Sequence, residues 1–149
     1  MNLKDRITAD MKDAMRAKAA ARLSTIRLLL AAIKQREVDE RTAVADADVV
    51  AVVEKMVKQR RESIAQFEAG NRKDLADAER AEQAILETYL PQRMSDAEID
   101  EAVDAALAAA RAAGATGPAI MGKAMAAIKP ALAGRADMAE VSAKVKSRL

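Results

Sequence analysis

Apolar residues recur at helical spacing along nearly the whole chain. Leu3, Ile7, Met11 and Met15 stand four apart and predict one face of a first helix. Leu23, Ile26, Leu30 and Ile33 form the stripe of a second, with Arg22, Arg27, Lys34 and Arg36 on its other side. A third helix starts within Thr42 to Asp46 and turns Val49, Val53, Met56, Val57, Ile64 and Phe67 inward. Gly70 ends it, as a residue that tolerates a left-handed backbone. Asn71 is placed to cap a fourth helix, which buries Leu75, Ala78, Ile85, Leu86 and Tyr89. No segment alternates with period two and no Asn-Gly hairpin turn occurs, so the fold class is all-α.

LPQRMSD interrupts this pattern. Pro91 has no backbone N–H to donate and biases Leu90 away from helix. Ser95 with Glu98 three residues on reads as a capping box. A boundary here gives an N-terminal domain over 1–91, of about four helices, and a C-terminal three-helix domain over 92–149. In the second domain the first helix buries Ile99, Val103, Ala106 and Leu107 and stops at Gly114. Pro118 suits the first position of the next helix. Pro130 should kink or end that helix near Ile128 to Lys129. Asp137 caps the last helix, whose apolar stripe is Met138, Val141, Val145 and Leu149.

Composition narrows the chemistry. The chain has no cysteine and no histidine, which removes thiol nucleophiles, Cys/His zinc sites and the usual general base near neutral pH. No cofactor or metal is expected. Phe67 and Tyr89 are the only aromatics, too few for platforms that stack bases. No apolar run reaches the roughly 18 residues of a membrane span, and MNLKDRITAD lacks the apolar h-region of a secretory signal. A cytoplasmic protein without membrane association is the expectation.

The net charge of +2 conceals a division. Through Pro91 the chain counts 17 bases and 16 acids, and KQRR, Lys58 to Arg61, reads as a solvated face. From Ser95 to Ala110 there are five acids and no base; from Arg111 onward there are seven bases against two acids. The basic end includes IMGKAMAAIKPALAGRAD, Ile120 to Asp137. Met121 and Met125 match Ile128 on a helix face and read as core. Gly122, inside a helix, calls for close approach of a neighbour. Capping accounts for Gly134 and Asp137, but for none of Lys123, Lys129 and Arg135. A helix end followed by a glycine turn and a helix start gathers cations and free N–H groups at one edge, which suits phosphate.

These residues carry a resemblance. MGKAMAAIKPALAGRAD resembles the C-terminal signature of the GatB/YqeY family. RLSTIRLLLAAIKQREVDER, KQRRESIAQFEAGNRKDLADAERAEQAILETYLPQ and SDAEID are similar to its stand-alone YqeY-like members, in the same order and over nearly the whole chain. The resemblance implies an all-helical protein whose C-terminal part is similar to the tail domain of the B subunit of the glutamine-dependent tRNA amidotransferase. That tail grips tRNA, and amide transfer occurs in another domain. The motif positions here are Met121, Gly122, Lys123, Met125, Lys129, Gly134, Arg135 and Asp137. Lys123, Lys129 and Arg135 are the candidate phosphate contacts, Lys144 and Lys146 could extend them, and Gly122, Gly134 and Asp137 shape the backbone.

Three functions follow as expectations. The first is a non-catalytic accessory protein that contacts the backbone of tRNA or another structured RNA. The second is a protein–protein adaptor with no RNA role, working through the N-terminal helices; separately, Arg22, Arg27, Lys34, Arg36 and Arg41 could make a second RNA-facing stripe, which Glu37, Asp39 and Glu40 interrupt. The third is a contribution to amidotransferase activity, for which the chain shows no P-loop and no Ser-Lys arrangement.

Overall fold

The computed structural model describes residues 1–149 as seven helices without a strand. The chain divides into two compact units, Met1–Leu90 and Pro91–Leu149. Each has its own apolar core.

The first unit holds α1 (Leu3–Arg16), α2 (Ala20–Glu40), α3 (Asp46–Ala69) and α4 (Lys73–Glu87). Its core gathers Ile7, Ile26, Leu29, Ile33, Val49, Val53 and Leu86, all at most 1% exposed. The inward faces differ in places from the predicted ones. Ala14 is buried and Met15 is 49% exposed, because a repeat of four drifts about 40° per step on a helix of 3.6 residues per turn. Leu29 is buried where Leu30 was expected, and Leu30 packs at the margin. Ile64 and Phe67 are half-buried, and in α4 Ala76 faces in while Ala78 is exposed. The α3–α4 turn also reverses two expected roles. Gly70 has φ −84° and Asn71 takes the left-handed conformation at φ 58°, which asparagine tolerates better than most residues. Asn71 therefore ends α3 rather than capping α4, and Arg72, with no side-chain cap bond, holds the N-cap position.

One polar contact is built into this core's edge. The Tyr89 hydroxyl donates to Asp10 Oδ2 at 2.6 Å, and the Arg6 guanidinium lies 5.2 Å from the ring centroid. Burial, then the bond to Asp10, raises the phenol pKa well above its ordinary value.

The second unit holds α5 (Asp96–Ala112), α6 (Pro118–Leu132) and α7 (Met138–Ser147) around Val103, Ala124, Val141 and Val145, each fully buried. The helix-start predictions hold here, but the Ser95–Glu98 box forms only in half. Ser95 Oγ accepts from Glu98 N at 3.2 Å and donates to Glu98 Oε1 at 3.1 Å, so the glutamate bonds the hydroxyl and not the Ser95 N–H; Pro118 opens α6, and Asp137 accepts from Ala139 N at 2.9 Å. Leu149, expected in the apolar stripe, is instead 55% exposed, beyond the end of α7. Of the two outcomes expected at Pro130, a kink or an end, the end does not occur: α6 continues to Leu132. Only one helical bond is lost to the proline, while Leu132, 2% exposed, anchors the final turn and the Ala133 N–H still reaches Lys129 O at 3.0 Å. Gly134, at φ 76°, then turns the chain toward α7.

Candidate nucleic-acid interface

The charge division in the sequence becomes a seam in the structure. Asp100 Oδ1 on α5 accepts from Lys144 Nζ at 2.9 Å and from Arg148 Nη2 at 2.9 Å. Arg148 Nε lies 3.3 Å from Asp104, and Lys144 Nζ lies 4.0 Å from Asp96. The bond from Lys144, then the one from Arg148, holds the Asp100 carboxyl below the usual carboxylate range. Arg111 donates to the Arg148 carbonyl at 3.1 Å. The acids of α5 thus take up bases from the C-terminal helix.

Arg135 is drawn inward in the same way. Its Nε donates to Gln92 O at 3.0 Å, its guanidinium lies 3.9 Å from Glu98, and its carbonyl accepts from Met94 N at 2.9 Å. It ties the segment before α5 to the turn before α7.

The five candidate RNA-contact residues therefore divide. Arg135 and Lys144 have partners inside the unit. Lys123 and Lys129 on α6 and Lys146 on α7 are exposed and make no hydrogen bond or ion pair. On α6, Lys123 and Lys129 are six residues apart, so they point about 120° from each other around the helix.

The remaining motif positions fall as follows. Met121 and Met125 pack against the core as expected. Gly122 meets no neighbouring helix: a Cβ built there would have nothing within 4 Å. Its helical position is exposed to solvent, so the expected internal close approach is absent.

In the first unit the row proposed from sequence also divides. Arg36 is held by Glu40 and Asp48, each at 3.0 Å. Arg22 is half-buried, near enough to Tyr89 to affect its ionisation. Arg27, Lys34 and Arg41 are exposed and unpaired. KQRR is not a solvated face throughout, since Arg60 pairs with Glu82 at 2.8 Å and Glu79 at 3.3 Å. No group of three or more acidic side chains is arranged to hold a metal ion.

The family model for Yqey-like proteins matches residues 4–149. The chain belongs to the YqeY-like family. Its members among curated proteins include "Altered inheritance of mitochondria protein 41, mitochondrial" of Pyrenophora tritici-repentis, 32% identical over 95% of this chain and 77% of the relative. Proteins of the same name from Lachancea thermotolerans and Saccharomyces cerevisiae are 41% and 34% identical, each over 63% of this chain. The chain spans about half the length of these two relatives, 52% and 51%. Their names correct the cytoplasmic expectation: these YqeY-like relatives are mitochondrial proteins. An apolar h-region marks secretion and not import into an organelle, so its absence from MNLKDRITAD has no bearing on the latter. No helix is long and apolar enough to cross a membrane.

Proposed function

We propose that this YqeY-like chain is a non-catalytic accessory protein that contacts the phosphate backbone of structured RNA, tRNA foremost, through Lys123, Lys129 and Lys146. The observation that carries this reading is the division of the basic end. The acids of α5 neutralise Lys144 and Arg148, and these three lysines are left with their charge turned to solvent. Gly122, bare on the same helix as Lys123 and Lys129, lets a ligand come close to the α6 backbone. Arg135 and Lys144 act by holding the three helices in place.

Three phosphate contacts predict a log–log salt slope of about −2 to −3, so affinity for tRNA should fall about ten- to thirty-fold between 50 and 150 mM salt. Fluorescence anisotropy with labelled tRNA measures this. The Lys123→Ala/Lys129→Ala/Lys146→Ala variant should keep its helicity and lose both the binding and its salt dependence. Binding unchanged in that variant, or none in the wild type at 50 mM salt, would remove RNA from this surface.

A further inference from the structure

The second helix has an apolar face that the fold does not use. Ile26, Leu29 and Ile33 of α2 fill the first unit's core. On the outside, Ser24, Leu28, Ala31, Gln35 and Val38 follow one another at spacings of four, three, four and three. That is the period of a seam between two helices packed side by side. Leu28 is 48% exposed and Val38 is 59% exposed, and away from the chain ends few large apolar side chains are as open. A shallow hollow of about 400 Å³, lined by Ala20, Leu23, Ser24, Arg27 and Leu28, opens at the start of this seam.

The charges beside the seam say what fits it. Arg27 and Lys34 stand seven apart along one flank, two turns or roughly 10 Å from one to the next, and Arg41 follows at the helix end as its left-handed C-cap, at φ 54°. All three are exposed, and none has a hydrogen bond or ion pair. No acid occurs from Ala20 to Arg36, and the acids that follow are engaged: Glu37 by Lys4 at 2.6 Å, Glu40 by Arg36, and Asp39 by the Gln35 amide at 2.8 Å. A second copy packed antiparallel would set Arg27 against Lys34. A bare phosphate chain would satisfy the cations and leave Leu28 and Val38 in water.

We propose that the outer face of α2 docks an acidic amphipathic helix of a partner protein. Apolar side chains of the partner pack along Leu28, Ala31 and Val38, and one enters the hollow beside Ser24. Its glutamates and aspartates pair with Arg27, Lys34 and Arg41. This surface lies in the first unit and is independent of the RNA reading, which rests on the second.

The probe is a labelled three-heptad peptide with leucine at its seam and glutamate on both flanks, titrated with the full chain. Its counterpart carries lysine on the flanks. The acidic peptide should bind in the micromolar range and the basic one at least about ten-fold more weakly. Leu28→Ser/Val38→Ser, at exposed positions where folding is retained, should weaken the acidic peptide about ten-fold. Arg27→Glu/Lys34→Glu should reverse the preference between peptides. The proposal is overturned if the acidic peptide fails to saturate at about 0.5 mM. It is also overturned if the serine variant binds as well as wild type while tRNA displaces the peptide, which would make the row a polyanion site. A sedimenting dimer of the chain alone, abolished by the serine variant, would assign the face to a second copy instead.

Discussion

The two units dispose of their charges by the same device in different places. In the second, α5 presents a run of acids that α7 clamps through Lys144 and Arg148, and α6 keeps two unpaired lysines. In the first, the clamp lies between α3 and α4: Arg60 reaches Glu79 and Glu82, Arg61 lies 3.8 Å from Glu87, and Arg80 meets Glu68 and Asp77. There α2 keeps Arg27 and Lys34 unpaired and exposed, along one flank. The lesson is that a count of charges along a segment does not identify a binding surface. What identifies it is the residue of charge after neighbouring helices have paired, because a cation already bonded to a carboxylate offers little to an external anion. The +5 excess of the basic end shrinks to a few side chains on this reasoning, and the balanced N-terminal half acquires a basic row.

The largest effect that would test this division into two cores is Leu86→Ala. Leu86 is fully buried in the first core, and truncation should cost about 2–5 kcal/mol. Hydrogen exchange should accelerate at the amides of α1 to α4 and not at those of α5 to α7; acceleration throughout would mean that the units melt as one.

Next in size is Tyr89→Phe, which deletes the bond to Asp10 and should cost the first unit about 1–3 kcal/mol in a urea titration. The wild-type phenol also distinguishes the units by pH. Its folded pKa is raised, so the stability it confers is fully present below the ordinary phenol value of about 10 and is lost as pH rises through the folded value. With a single tyrosine in the chain, ultraviolet titration reads it directly, and ionisation near pH 10 in the folded protein would contradict the burial argument.

The second unit carries the opposite sensitivity. The Asp100 pKa is depressed, so its contribution is present above the ordinary carboxylate value of about 3.9 and is lost as pH falls through the folded value. Loosening below about pH 4 should therefore appear at α5 and α7, and Asp100→Asn should remove that part of the pH dependence, as exchange at several acidic pH values would record.

The smallest expected change is a gain. Gly122→Ala should stabilise the second unit by about 0.5–1 kcal/mol, since the position is helical and a Cβ meets open space. A rise in thermal midpoint with weaker tRNA binding would sharpen the role of Gly122 as a point of close approach. A rise with unchanged binding would leave the glycine outside the interface.

Much of the architecture was readable from local rules. Ser95, Pro118 and Asp137 are local devices, acting within one turn, and all three occupy the helix-start positions their chemistry implied. Asn71 shows the limit even here: two adjacent residues could both turn the chain, and the left-handed one is the second. Pro130 shows it again, because the burial of Leu132 outweighs a missing N–H near the helix end. The candidate interface was legible only as a list of cations. Lys123, Lys129 and Lys146 look no different in sequence from Lys144, and the four-three seam of α2 was masked by the stronger inward stripe of the same helix.

Sequence alone determined the helical class and most helix ends, because periodicity and capping act over a few residues. It also carried the family motif. Tertiary structure decided which cations remain uncompensated, that Gly122 faces solvent, and that α2 has a second apolar face with no partner in its own fold. Those properties depend on which helices lie side by side, and a carboxylate more than forty residues away, Asp100 against Lys144, settles them.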